Sequence, residues 1–292
     1  MNQIDPPITL SDLFGNDDSS CDDDDDDDDE RRMMNRKENN NHCCYEVQNY
    51  NLWGKDLQIR QYAFHSHNAN QVWPGTFNLC DYLFTTHRNS QSNSSGSSSS
   101  CWGDMLELGS ATGLLAIRLS MELNTTDNKN EHAFCSSIVT SDVQEEGNSN
   151  QVEQNIQHNF RLNGFVLSEN STTTNTNTTT IPIHMPHLWG TSWDKAAVGL
   201  LPHGTRFDTV IASDILLYVS AYPALVQTLK ELLDPSLFPV PNLSGNKNPR
   251  FVMSWNRRMK ESIQFFDLMT DAGFQHTNEG KCVYTFWKEE VA

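Results

Sequence analysis

DMLELGSATGLLAIRL, residues 104–119, decides the fold. Asp104–Leu108 is a short apolar run of strand type. Gly109 then permits a sharp turn and leaves room for a ligand beside the backbone. Gly113 follows four residues later, and a helical pattern runs from Thr112 to about Leu123. Strand, glycine turn and helix open a βαβ unit, whose ligands bind beyond the carboxyl ends of the strands. The loop narrows the ligand. A dinucleotide fingerprint needs G-x-G-x-x-G, because its second glycine lets the backbone meet a pyrophosphate. Here position 111 is Ala, the spacing is G-x-x-x-G, and no Walker-type Lys follows. The loop therefore suits a nucleoside ligand without a phosphate chain. A strand–turn–helix that serves packing alone is the competing reading.

Outward from this stretch, strands and helices alternate. Tyr45–Trp53 and Asp56–Ala63 predict a β-hairpin around Gly54-Lys55, and Pro74–Phe84 a helix with Pro in its first turn. Beyond the glycine loop come a strand at Ser136–Ser141, a helix at Asn150–Asn163 stopped by Gly164, and a weak strand at Ile181–His184. Phe207–Ala212 predicts a strand and Tyr222–Leu233 a helix. Phe251–Ser254 predicts a strand, and Glu261–Ala272 a helix closed by Gly273. FQHTN and KCVYTFW then form a closing antiparallel hairpin around Glu279-Gly280. This spacing implies an α/β domain with a mainly parallel sheet and helices on both faces. Polar stretches at Asn89–Ser100, Asn124–Glu131 and Glu169–Thr180 read as surface insertions in that domain.

A nucleoside without phosphates describes S-adenosylmethionine, and a second strand supports it. Asp142 ends the SSIVTS strand, where an acid can accept both ribose hydroxyls; the alternative is a carboxylate at a helix N-terminus. The segments VWPGTFNLCDYL (72–83), LELGSATG (106–113), VTSDVQ (139–144), HLWG (187–190) and FDTVIASDILLY (207–218) follow in order. Together they resemble the seven-β-strand protein-lysine methyltransferases, the group that includes the enzyme modifying valosin-containing protein. The resemblance spans about residues 45–290. It implies a Rossmann-like seven-stranded sheet, with S-adenosylmethionine as cofactor and a protein lysine as methyl acceptor.

The resemblance also implies roles for single residues. Trp73 would line the cofactor pocket. Gly109, Ser110 and Ala111, with Gly113 closing the loop, would wrap the methionine portion, and Glu107 would lie just beneath it. Asp142 would hold the ribose. Trp189 would pack on the adenine, and Ser213 would touch the cofactor. Trp73 and Trp189 also read as ordinary core aromatics. Asp214 opens the catalytic motif, in which an acid is followed three residues later by Tyr or Phe. Here Tyr218 arrives after four. Either a one-residue bulge restores Tyr218 to the pocket, or Leu217 takes the aromatic's place.

Methyl transfer from a sulfonium is a direct displacement, so positioning an in-line nucleophile is most of the work. Neutralising a lysine of pKa about 10.4 at pH 7 costs roughly 4.6 kcal/mol. A carboxylate raises an amine's pKa and cannot supply this. Asp214 is therefore expected to accept a hydrogen bond from the amine and aim its lone pair.

Composition bounds the rest. The chain has 292 residues and a formal charge of −18, which argues against a protein that tracks nucleic-acid phosphates. Residues 1–40 hold 14 acids and 4 bases, including the run Asp22–Glu30. Residues 1–44 are therefore expected to be a disordered acidic tail, with 45–292 as the methyltransferase domain. Ser19 and Ser20, just upstream of the acids, are candidate sites for an acid-directed kinase. No apolar stretch approaches a membrane span and no signal peptide is visible, so a soluble, cytoplasmic, also nuclear monomer without nucleic-acid or membrane partners is expected. Seven Cys, without CxxC or CxxH spacing, indicate neither disulfides nor zinc, and no metal is expected. His184, His187 and His203 read as surface or loop residues, and Arg257 and Arg258 as a solvated strand end. A small-molecule N-methyltransferase stays open beside the protein-lysine reading. So does a cofactor-binding interaction protein without catalysis; a nicotinamide dehydrogenase is disfavoured by Ala111.

Overall fold

The computed structural model describes residues 45–66, 68–93, 102–123, 134–143, 150–166, 181–193, 207–233, 248–256 and 259–288. The acidic run, Ser19 and Ser20, His203, Arg257 and Arg258, and the insertions at 124–131 and 169–180 lie outside these residues. The elements are β1 (Tyr45–Leu52), β2 (Lys55–Tyr62), α1 (Pro74–Asn93), β3 (Asp104–Leu108), α2 (Leu114–Leu123), β4 (Ser137–Ser141), α3 (Gln151–Leu162) and β5 (Thr209–Ser213). A 3₁₀ turn (Val219–Ala221), α4 (Tyr222–Leu232), β6 (Arg250–Ser254), a second 3₁₀ turn (Lys260–Ser262), α5 (Ile263–Asp271), β7 (Phe274–Gly280) and β8 (Val283–Lys288) complete them.

The main sheet runs β4-β3-β5-β6-β8-β7, and β1-β2 is a separate hairpin. β4, β3, β5 and β6 are mutually parallel, while β8 runs antiparallel to β6 and to β7. The near-continuous burial of β3 to β6 follows from cover on both faces. Alternate residues confirm it. Met105, Ile138, Ile211 and Val252 pack with α1, α2 and α3, whereas Leu106, Val139, Val210 and Phe251 pack with α4 and α5.

The expected seventh strand is irregular. Residues 183–187 run beside β4, with Thr140 N–H donating to the Ile183 carbonyl (3.0 Å), Met185 N–H to that of Thr140 (2.8 Å) and His187 N–H to that of Asp142 (2.8 Å). One parallel bridge, Thr140 with His184, results. Pro182, just before the run, and Pro186, within it, have no N–H to add to its ladder.

Three boundaries differ from the sequence reading. The first hairpin turns at Trp53 and Gly54, both at positive φ (46° and 72°), one residue earlier than expected. A two-residue turn of this kind matches the twist of its strands. The closing hairpin turns at Lys281-Cys282, two residues later than expected. Helix α1 continues to Asn93, because its polar end contains no Pro or Gly to stop it.

Hairpin β1–β2 is fastened to the sheet by polar side chains. Asn155, Asn159 and Asn163, spaced by four along α3, reach β2. Asn163 exchanges two hydrogen bonds with the backbone of Gln58, accepting from N–H (3.0 Å) and donating to C=O (2.8 Å). Asn159 does the same with Arg60 (2.8 and 3.1 Å). Asn155 accepts from the Arg60 guanidinium (2.8 Å). From α2, buried Arg118 donates to the carbonyls of Leu52 (2.9 Å) and Trp53 (3.3 Å) at the hairpin's turn.

Candidate active site

Beyond the carboxyl ends of β3 and β5 lies a cleft. One wall is Glu107 with the loop Gly109–Thr112 and the first turn of α2. The other is Gln71, Val72 and Trp73, closed by Thr76 and Ser213. Thr76 and Ser213 share a hydroxyl–hydroxyl hydrogen bond of 3.0 Å.

The loop is pinned from both sides. Ser110 N–H donates to the Ser141 carbonyl (3.0 Å), and Gly113 N–H to that of Ser110 (2.7 Å). Asp142 accepts the Ala111 N–H on Oδ2 and its neighbour Val143 N–H on Oδ1, each at 2.7 Å. A Cβ on Gly109, at φ +67°, would stand 2.9 Å from the Ile215 side chain. Ala111 sits at φ +48°, a left-handed conformation that costs an L-residue about 1–2 kcal/mol. Ala111→Gly is therefore expected to raise the urea midpoint, with a gain of about 0.5–1 kcal/mol once the greater freedom of the unfolded glycine is subtracted.

Glu107 is the titratable group of the floor. It is buried, and its Oε2 has no hydrogen-bond partner among the described residues. Burial pushes its carboxyl up to about 8, while hydrogen bonds from Ser110 and the Ala116 backbone pull it back in part. An orphaned carboxyl oxygen at a cleft calls for a donor from a ligand. Asp142, just after β4, adds acceptors beside it. This donor and acceptor set fits S-adenosylmethionine, with Glu107, the Gly109–Ala111 peptides, Asp142 and Trp73 as the residues that would hold it.

Of the expected residues, Trp73, Glu107, Gly109, Ser110, Ala111 and Ser213 line the cleft together. Asp142 joins them through Ala111. Gly113 does not line it; it faces α3, where a Cβ would lie 3.2 Å from Ile156. Trp189 is half-buried against the cluster under α4, away from the described lining. Tyr218 is 39% exposed, and its hydroxyl accepts a hydrogen bond from the Asn68 amide. The Asn68 carbonyl in turn accepts the Trp73 indole N–H (3.0 Å). Tyr218 thus reaches the rim of the cleft through Asn68, while Leu217 packs on the core and Leu216 is fully buried.

Asp214 departs from its expected role. It is 2% exposed and does not line the cleft. Oδ2 accepts the Gly75 N–H (2.6 Å) and Oδ1 the Asn256 N–H (2.9 Å). Its own N–H donates to the Ser254 carbonyl (2.9 Å). The carboxylate is turned inward because Gly75, second residue of α1, brings an unpaired helix-start N–H to it. α1 has no acid in its own first turn. A Cβ at Gly75 would stand 2.8 Å from the carboxyl group, so glycine there is a condition of the contact.

Of the histidines read as surface or loop residues, His184 and His187 lie in the irregular run beside β4. His187 is buried and stacks on Trp193 (3.9 Å between ring centres, 7° between planes). His184 meets the Thr140 hydroxyl at 3.0 Å. Burial drives both down to about 4, so both are neutral at pH 7. Among the described residues no cluster of three or more His, Cys, Asp and Glu could hold a metal, and no helix is long and apolar enough to cross a membrane. Cys80, Cys135 and Cys282 are free thiols.

A family model described as lysine methyltransferase matches residues 51–272. The chain belongs to the lysine methyltransferase family. Membership agrees with the expected fold, with S-adenosylmethionine as cofactor and with methyl transfer to lysine. No curated protein matches the chain. Similar solved structures include the T. Thermophilus 16S rRNA N2 G1207 methyltransferase (RsmC) in complex with AdoMet and guanosine, at 14% identity and TM-score 0.44, covering 84% of this chain and 51% of that one. A methyltransferase from Pyrococcus furiosus is 12% identical, TM-score 0.36, covering 64% and 75%. The human methyltransferase 10 domain containing protein is 10% identical, TM-score 0.35, covering 74% and 82%. This lysine methyltransferase family member spans about half the length of the RsmC chain. Likenesses this distant carry no inference about its substrate.

The sequence reading missed Gln71, Val72 and Thr76 in the cleft wall, and Gly75 beside Asp214. No spacing signal announces them. The Asn-x-x-x-Asn-x-x-x-Asn spacing of 155, 159 and 163 is a signal, but its use depends on which strand lies opposite.

Proposed function

We propose that this chain transfers a methyl group from S-adenosylmethionine to a lysine side chain of a protein other than a histone. The observation that carries the reading is the pinned glycine loop over buried Glu107, with Asp142 bonded to the loop's own peptide. When bound, the cofactor supplies an electrophilic methyl on a sulfonium. The chain's residues then do four things. Asp142 fixes the left-handed turn at Ala111 and keeps lone pairs for ribose hydroxyls. Trp73 offers an apolar ring wall. Thr76 and Ser213 close the cleft with a paired hydroxyl. Asp214 holds the start of α1, and with it Trp73 and Thr76, in register with the ends of β5 and β6. The last is a positioning role, and in-line positioning is the main demand of the displacement. Exposed Tyr218 at the rim favours a large acceptor over a small molecule enclosed by protein.

Thermal unfolding with S-adenosylhomocysteine tests the reading, with NAD as control. At about 100 times Kd the ligand adds roughly 2.7 kcal/mol. That raises the midpoint by about 5–10 °C for a domain of this size. The rise is expected to vanish in Asp142→Ala, and a labelled-methyl screen of lysates then looks for transfer to protein lysine. An equal shift with NAD, or none with the adenosyl ligand, overturns the cofactor assignment. Label confined to small molecules replaces the protein-lysine reading with the small-molecule one.

A further inference from the structure

Hairpin β1–β2 contributes no described lining residue to the cleft, yet its attachments converge on the two helices that frame the glycine loop. Arg118 ties the hairpin's turn to α2, which leaves the loop at Leu114. Asn159, on α3, ties β2 to the loop itself. Its Nδ2 donates to the Thr112 carbonyl (2.9 Å) and to the Arg60 carbonyl (3.1 Å), while Oδ1 accepts the Arg60 N–H (2.8 Å). The side chain is wholly buried. Both amide hydrogens are committed, one to the loop and one to the hairpin, so no other residue type of this size can serve both carbonyls and still accept the N–H. Gly113 reinforces the contact from the next position, since α3 packs so closely there that a Cβ would touch Ile156 and Phe160.

We propose that Asn159 is a positioning residue for the methyl donor: it clamps the cofactor loop at Thr112 by sharing one amide between that loop and hairpin β1–β2. The proposal rests on reading the cleft as the S-adenosylmethionine site. Asn159 acts on the ligand only through the loop. Loosening the clamp frees the segment that carries Ser110 and Ala111, so donor affinity falls while the geometry of a filled site is restored by the ligand.

The test compares Asn159→Asp with Asn163→Asp. Both place a carboxylate against a β2 carbonyl, but only Asn159 also faces the loop. Titration calorimetry with S-adenosylhomocysteine, at a temperature where circular dichroism shows both variants folded, is expected to give a Kd at least tenfold weaker for Asn159→Asp and within twofold of the parent for Asn163→Asp. In turnover assays the KM for the methyl donor rises in the first variant while kcat at saturation stays within about twofold. Should Asn159→Asp not fold, Asn159→Ser makes the same test, since its short hydroxyl cannot bridge both carbonyls. Hydrogen exchange without ligand gives a readout independent of the cofactor: the Gly113 amide exchanges at least tenfold faster in the Asn159 variant and unchanged in the Asn163 variant. A parent protein that binds no adenosyl ligand defeats the reading of the cleft, and the exchange comparison then still decides the clamp. Equal affinity, or equal exchange, in the two variants overturns the proposal.

Discussion

Replacing Asp214 with Ala is expected to lower stability by about 3 kcal/mol and to abolish most turnover in the same protein. The first effect follows from the contacts of the carboxylate. Its loss leaves the buried N–H of Gly75 without an acceptor, at about 1–3 kcal/mol, and removes the partner of the Asn256 N–H, whose residue is exposed and whose bond is worth about 1 kcal/mol. It also removes the carboxylate that faces the start of α1, whose own first turn has no acid. The unfolding midpoint should fall by roughly 6–12 °C for a domain of this size. Turnover falls because Trp73 and Thr76, which flank Gly75, lose their anchor against β5 and β6. Asp214→Asn keeps one acceptor oxygen and should lie between parent and Ala in both measurements. An Asp214→Ala protein with an unchanged midpoint and no turnover would return the residue to direct contact with the substrate amine.

Alkaline pH should weaken the ligand-free fold through Glu107. Its carboxyl titrates near 8 in the folded chain against an ordinary value of 4.5, chiefly because burial disfavours the ionised form. Between those values the unfolded state has already released a proton that the folded state retains. Stability from this group is therefore complete below about pH 4.5 and is lost as pH rises through 8. At about 1.36 kcal/mol per pKa unit, the full loss is on the order of 4–5 kcal/mol. Urea midpoints at pH 6 and pH 9 capture the part of it that falls above pH 6, roughly 3 kcal/mol, and Glu107→Gln should flatten the difference. A cationic ligand beside the ionised form lowers the pKa again, so binding of S-adenosylmethionine should release a proton near neutral pH. Calorimetry in buffers of different ionisation enthalpy detects this. No proton release, with a pH-flat midpoint in the parent, would mean that Glu107 is ionised throughout.

Much of this architecture was readable along the chain, for reasons that are local. Asp104–Leu108, Gly109 and α2 announce themselves because apolar period, turn residue and helix pattern lie side by side. The turns were misplaced by one or two residues because Trp53, Lys281 and Cys282 accept positive φ, which residue type alone does not suggest. The seventh strand was expected at Ile181–His184, but Pro182 and Pro186 leave it a single bridge. The sequence reads Asp214 as a partner of the substrate amine because its motif is local, whereas its partner Gly75 is 139 positions away. The same distance effect hid Thr76, which meets Ser213 across 137 positions. The sequence leaves Trp189 between pocket and core and His187 between surface and loop, because an aromatic residue's sequence neighbours do not say which side of a sheet it covers.

The three asparagines of α3 have a consequence for the hairpin's solitary condition. Two strands alone are marginal in water, and an exposed strand border is a template on which another chain can pair and aggregate. Four residues of helix rise about 6.0 Å, close to the roughly 6.8 Å of two strand residues. Asn159 and Asn163 therefore meet Arg60 and Gln58 in step, in antiparallel sense, each amide giving and taking a hydrogen bond as a peptide group would. In effect α3 stands in for a third strand, written in side chains, and that border of β2 is closed to intermolecular pairing without the chain spending another strand on it.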